Sequence, residues 1–246
     1  MKLIAFILMM CSALCASAAP DEDKLGKGQG YPVGTVRTWF ADESVRVGSF
    51  THQAEIAGLF NGKANELKPA SAPMLLGKVA TDTNYRWAID QQRGLTVDDF
   101  LSRQRTMALI VLKDGVIQTE RYQYDRTDKD RFLSQSMAKS ITSIAIGLAL
   151  REGKIKSLND RADQYAPSLA GTLYGETQIV NLLRMASGAK FEERYDGKDD
   201  LARFGAAAYQ SGAAEAAKVI TERAAPQGEK FNYASSETDI ATGDRV

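Results

Sequence analysis

The chain has 246 residues, 31 basic against 31 acidic side chains, and 44% hydrophobic residues. Such a balance excludes nucleic-acid binding through bulk charge, and the apolar share is enough for one sizeable core or two small ones. One histidine and two cysteines, both within the first 15 residues, exclude the usual zinc ligand sets and leave no disulfide in a chain processed beyond that point.

Residues 1–18, MKLIAFILMMCSALCASA, open with Lys2 and an apolar run from Leu3 to Cys15. They end on Ala16-Ser17-Ala18, an A-x-A cleavage pattern. This reads as a secretory signal peptide, so the mature product is expected in the periplasm or secreted, with no membrane attachment after cleavage. The run is shorter than the ~20 residues that span a bilayer. Cys11 follows Met10 and Cys15 follows Leu14, where a lipid-attachment cysteine would follow a small residue.

Residues 19–94 read as an N-terminal extension and linker. The polar, Gly-rich stretch 20–35 is expected to be a flexible leader, and the region 36–100 is broken by Gly58, Gly62, Pro69, Pro73 and Gly77. WFADESVRVGSF (39–50) alternates weakly and is expected to pair as a strand. LTVDDFLSRQRT (95–106) predicts a helix capped by Thr96 with acids in its first turn. The runs Met107–Leu112 and Val116–Tyr122 flank Lys113-Asp114-Gly115 and predict a β-hairpin, since Asp-Gly tolerates the positive φ angles of a tight turn. The first run is nearly all apolar and is expected to be buried on both faces.

A helix follows. Ser134 is placed to cap it, Met137, Ile141, Ile144, Ala145 and Leu148 recur at helical spacing, and Gly153 stops it. Further helices are predicted over Thr177–Ser187, ended by Gly188, and over Ala213–Arg223. Pro226-Gln227-Gly228 makes a turn before the short run Lys230–Tyr233. Strands first and helices after them point to an α+β class.

Ser136 and Lys139 stand three residues apart on the predicted helix, so their β-carbons share a face at ~5–6 Å. A serine hydroxyl becomes a useful nucleophile when a base takes its proton. Lysine can be that base only as a neutral amine, which requires its pKa to fall from ~10.4 toward ~7. Burial against apolar neighbours such as Met137, Ile141 and the hairpin would penalise the ammonium in that way. In the first turn of a helix the Ser136 N–H would also be an unpaired donor, able to face a developing oxyanion. About 100 residues on stands Tyr233-Ala234-Ser235, with a phenol that can relay a proton and a hydroxyl beside it.

These stretches, FLSQSMAKSITSIAIGLALREGKI (132–155), TQIVNLLRMASG (177–188) and PQGEKFNYAS (226–235), resemble the class C-like branch of the serine β-lactamase and penicillin-binding-protein superfamily. The similarity is to its exported β-lactamase-related serine hydrolases, which include 6-aminohexanoate-dimer hydrolase and esterases. It covers roughly residues 95–240 and implies a β-lactamase/transpeptidase-like fold, an antiparallel sheet with a helical region. It implies no cofactor and no metal, and a small ester or amide substrate as partner. Catalysis would run through an acyl-enzyme on Ser136, with Lys139 and Tyr233 managing protons. Ser235 would take the place of the asparagine of many β-lactamases, which leans toward ester or amide substrates rather than β-lactams. Within FEERYDGKDD (191–200), Glu193, Tyr195 and Asp196 are candidate substrate contacts, against the alternative of a solvated charged loop.

Two departures stand out. No Lys-Thr-Gly or His-x-Gly triplet follows Ser235, and Glu237-Thr238-Asp239-Ile240 runs directly into Ala241-Thr242-Gly243. The segment 95–246 is therefore expected to be a partial domain, its sheet incomplete at the C-terminus and its activity impaired. A Ser-His-Asp hydrolase is disfavoured, because His52 lies outside the resembling region and no G-x-S-x-G elbow occurs. No phosphate-binding G-x-x-x-x-G-K-[ST] loop is present. A β-lactamase or D,D-peptidase acting on cell-wall amides, or a catalytically silent binding protein, stay open as alternatives.

Overall fold

The computed structural model describes residues 19–59, 68, 70–81 and 84–241. The signal-like leader 1–18 and the Thr242-Gly243 pair lie outside them. The chain divides into two compact units between Leu133 and Ser134.

The first unit begins with helix α1 (Glu43–Thr51), where the sequence suggested a strand. The Asp42 carboxylate accepts the Ser44 N–H at 2.9 Å and so caps the helix. Val47 and Thr51 then fall four apart on one buried face, so the 3.6-residue period prevails over a weak alternation. The stretch 20–35 packs against this face. Leu25 and Tyr31 join Val47 and Tyr124 in a small core, the Tyr124 hydroxyl donates to Pro20 O at 3.0 Å, and Arg105 binds Asp21. Two large apolar side chains are enough to hold a segment whose composition is otherwise that of a leader. Gly48 allows the close approach, because a β-carbon there would lie 2.3 Å from the carbonyl oxygens of Tyr31 and Pro32.

Strands β1 (Gly77–Lys78), β2 (Trp87–Ile89) and β3 (Gln92–Leu95) are short. Helix α2 (Val97–Arg103) is capped by Thr96 as expected, and Asp99 completes a full capping box with it. Strands β4 (Ala108–Lys113) and β5 (Val116–Tyr122) form the expected hairpin, turning on Asp114 at φ 51° and Gly115 at φ 76°. The sheet order is β1-β5-β4 with β1 parallel to β5, so this sheet is mixed rather than wholly antiparallel. β4 is an edge strand, and its Ile110, Val111 and Leu112 are exposed rather than buried on both faces.

In the second unit a single 3₁₀ turn, Gln135–Met137, leads into α3 (Ala138–Arg151). Ser134 has helical dihedrals and its side chain caps nothing, so the α-helix proper starts three residues later than expected. Gly153, at φ 70°, follows its end. Helix α4 (Ile179–Leu183) is shorter than predicted, since Met185 turns left-handed at φ 52° before Gly188 is reached. Helix α5 (Asp200–Ser211) was hidden by the charge-rich loop before it; Asp199 caps it and Phe204 is buried. Helix α6 (Ala213–Ala217) ends well before Arg223, and α7 (Ser235–Ala241) closes the described chain.

The core of this unit gathers Tyr174, Leu182, Phe204, Ala216, Ala217, Ile220, Ala234 and Ile240. No residue of α3 is fully buried. Its apolar positions Ile141, Ile144 and Leu148 are exposed, and Ile141 and Leu148 border an open groove of about 800 Å³ that Leu182 and Ile240 also line. Among the described residues no helix is long and apolar enough to cross a membrane.

Candidate active site

The second unit brings four of the predicted residues together. Ser136 sits in the 3₁₀ turn and Lys139 one turn on, at the start of α3. Their spacing leaves the Lys139 Nζ 3.0 Å from the Ser136 Oγ. From the other side the Tyr233 hydroxyl donates to the Ser136 Oγ at 2.8 Å, and the Lys139 Nζ lies 3.1 Å from the Ser235 Oγ. Lys139 also stands over the Tyr233 ring at 5.2 Å. The residue before the serine, Gln135, has φ 46°, a left-handed conformation that costs a non-glycine residue about 1–2 kcal/mol.

The surroundings of Lys139 differ from those expected. Met137 is 69% exposed and Ile141 67% exposed, so neither buries the amine. The i+1 and i+5 positions of a helix face away from the side chain at i+3, and Lys139 instead lies among Tyr233, Ser235 and Ser136. The Tyr233 phenol is held below its ordinary range chiefly by the Ser136 hydroxyl, and then by Lys139.

The segment carrying Tyr233 is fixed by its neighbours. Asn232 donates its backbone N–H to Met185 O at 2.8 Å and its side-chain amide to Phe191 O at 2.9 Å. Directly after Ser235, the Ser236 and Tyr174 hydroxyls meet at 2.7 Å. The Glu237 carboxyl accepts the Ser187 hydroxyl at 2.7 Å and is buried, which pushes its pKa up to about 7. The Tyr-x-Ser segment is thereby clamped to the Ser187-Gly188 corner. Gly188 is required there: its φ is 80°, and a β-carbon would stand 2.0 Å from Ala225 O.

The loop 191–200 contributes one residue directly. Glu193 accepts the Ser235 backbone N–H and the Ser235 hydroxyl, each at 2.8 Å. Tyr195, at φ 60°, donates its hydroxyl to Glu193 and so borders the cluster. Burial and the Glu193 carboxylate push that phenol up to about 12, with the hydrogen bond to Glu193 the larger cause. Asp196 is not brought into the cluster: its carboxylate faces Arg194 Nε at 2.9 Å and the Lys198 N–H at 2.8 Å. Asp199 holds the loop from beneath, accepting the N–H groups of Arg194, Tyr195 and Ala202.

Sequence reasoning did not single out Asp199, Asn232 or the Glu237–Ser187 pair. Asp199 carries a legible signal, a helix-capping residue before an Ala-rich amphipathic run. The pairing of Glu237 with Ser187 spans 50 positions and has none. Among the described residues no group of three or more His, Cys, Asp or Glu side chains is placed to hold a metal ion.

Comparison with known proteins addresses the family and the fold. Residues 96–242 match the family model described as Beta-lactamase. A curated relative, 6-aminohexanoate-dimer hydrolase from Paenarthrobacter ureafaciens, is 29% identical over 90 residues, 37% of this chain and 23% of the relative. A solved structure named "Putative 6-aminohexanoate-dimer hydrolase from Bacillus anthracis" superposes with a TM-score of 0.65 at 19% identity, covering 82% of this chain and 54% of that one. The chain thus spans about a quarter of the curated relative and about half of the solved one. The fold is that of the β-lactamase/transpeptidase group, α+β with small sheets. Since the family match extends over more than half of its length, this chain belongs to the beta-lactamase family of hydrolases.

Proposed function

We propose that the protein is an exported serine hydrolase that cleaves ester or amide bonds through an acyl-enzyme on Ser136. One observation carries this reading: the Ser136 Oγ lies within hydrogen-bond reach of both the Lys139 Nζ, at 3.0 Å, and the Tyr233 hydroxyl, at 2.8 Å. As the Ser136 oxygen bonds to the substrate carbonyl carbon, its proton passes to the amine of Lys139. The carbonyl oxygen takes the electron pair as an oxyanion, which the N–H groups at the start of the 3₁₀ turn and α3 favour. When the oxyanion collapses, the leaving alcohol or amine takes a proton by way of Tyr233, whose lowered pKa suits the exchange. Water then attacks the acyl-serine with the same groups in the reverse roles. Export rests on the leader 1–18. The relatives are named for a hydrolase of an amide-linked dimer, which makes 6-aminohexanoate dimer a reasonable first substrate beside simple esters.

The test is the intact mass of the purified protein after exposure to a serine-reactive fluorophosphonate, with Ser136→Ala as control. One adduct, absent from the variant, is the expected result. No adduct on a chain that circular dichroism shows to be folded would overturn the reading. Turnover of a short-chain ester, 6-aminohexanoate dimer and a chromogenic cephalosporin then separates esterase or amidase activity from β-lactam hydrolysis.

A further inference from the structure

Ser235 has one hydroxyl hydrogen, and the structure leaves it one destination. Glu193 Oε1 lies 2.8 Å from the Ser235 Oγ, while Oε2 takes the Ser235 backbone N–H at the same distance. An ionised carboxylate offers only lone pairs. The Ser235 hydrogen therefore points to Glu193, and Ser235 turns a lone pair to the Lys139 Nζ, 3.1 Å away.

We propose that Glu193 is a positioning residue of this site: it fixes Ser235 as a hydrogen-bond acceptor and, through it, aims the amine of Lys139 at Ser136. The proposal rests on the reading of Ser136 and Lys139 as nucleophile and base. A neutral amine has two hydrogens and one lone pair. With one hydrogen held by Ser235, rotation about the terminal carbon–nitrogen bond is restricted, and the lone pair is directed to the Ser136 hydroxyl at 3.0 Å.

The surroundings support a fixed Glu193. The Tyr195 hydroxyl donates to the same carboxylate. Asp199 holds the N–H groups of the next two residues, Arg194 and Tyr195, which sets the backbone from which Glu193 projects. Arg194, the nearest cation in sequence, spends its guanidinium on Glu192 and Asp196. A further consequence concerns the substrate. An asparagine at position 235 would keep N–H donors to spare, whereas the single hydrogen of Ser235 is already engaged, so Ser235 has none to offer a substrate carbonyl.

The experiment measures fluorophosphonate labelling of the full purified chain, resolved into the limiting rate and the half-saturating concentration of the reagent. Glu193→Ala and Ser235→Ala are each expected to lower the limiting rate by about 10- to 100-fold, with half-saturation changed less than about twofold. The double variant should be no slower than the slower single one, because both changes break one chain of contacts. Glu193→Gln, nearly equal in volume, should be as slow as Glu193→Ala. Its one oxygen serves the Ser235 N–H, and its amide then donates to the Ser235 hydroxyl, which turns the hydrogen toward Lys139. A folding role alone would lower the fraction labelled and would spare Glu193→Gln. Labelling of Glu193→Gln at the wild-type rate, or losses that multiply in the double variant, would overturn the proposal alone. A folded wild-type chain that takes no label would overturn the underlying reading and the proposal with it.

Discussion

Replacing Glu237 by glutamine should stabilise the protein at alkaline pH and change it little in acid. The carboxyl is 1% exposed, and burial raises its pKa from 4.5 to about 7. Each factor of ten between folded and unfolded ionisation corresponds to ~1.36 kcal/mol, so keeping Glu237 charged inside the fold costs about 3 kcal/mol. Below pH 4.5 the group is protonated in both states and its contribution to stability is complete. As pH rises the unfolded chain ionises first, the folded chain holds the extra proton, and stability falls until about pH 7, where the loss levels off. Glutamine stays neutral, and its amide can serve Ser187 in place of the carboxyl, giving an N–H to the hydroxyl and an oxygen to the backbone N–H. Urea unfolding followed by far-ultraviolet circular dichroism reads the helical second unit. The stability difference between variant and wild type should grow by about 2–3 kcal/mol between roughly pH 4.5 and pH 8.5. Because Asp239 and other groups titrate alike in both proteins, the difference isolates Glu237. A difference that stays constant with pH would show that burial does not raise this carboxyl, and the clamp it forms with Ser187 would have to be argued on other grounds.

Tyr233→Phe removes the hydroxyl that lies 2.8 Å from Ser136 and should lower the limiting rate of Ser136 labelling by about 10²- to 10⁴-fold, with the melting temperature nearly unchanged. Labelling at the wild-type rate would exclude the phenol from proton transfer. Gly188→Ala should cost about 2–4 kcal/mol in urea unfolding, since it combines a left-handed φ of 80° with a β-carbon 2.0 Å from Ala225 O. A loss below about 1 kcal/mol would mean that the corner relaxes freely.

Several elements could be read directly because their causes are local. The Asp114-Gly115 turn, the Thr96 N-cap and the Gly153 stop each depend on residues within a few positions, and each occurs where the pattern placed it. The Ser136–Lys139 spacing is local as well, since one turn of helix sets it whatever surrounds it. Errors arose where packing competes with pattern. The alternation in 39–50 gave way to α1 once Asp42 capped it, and α4 stopped at Leu183 because Met185 turns left-handed, a choice that no side chain in the run announces. The apolar run of β4 read as doubly buried, yet a strand's position in its sheet depends on which others pair with it.

The chemistry divides along the same line. Residue types and short spacings, Ser136 with Lys139 and Tyr233 with Ser235, were enough to propose a nucleophile, its base and a proton relay, because reactivity begins with which functional groups one turn of backbone can bring together. Their assembly into one cluster depends on contacts between positions tens of residues apart. Tyr233 meets Ser136 across 97 positions, Glu193 meets Ser235 across 42, and Glu237 meets Ser187 across 50. No periodicity encodes such pairs. They form only when the core around Tyr174, Phe204 and Ile240 closes and brings three separate segments to one place, so that the tertiary fold alone determines which hydroxyl donates, which accepts, and which carboxyl must be buried to hold them there.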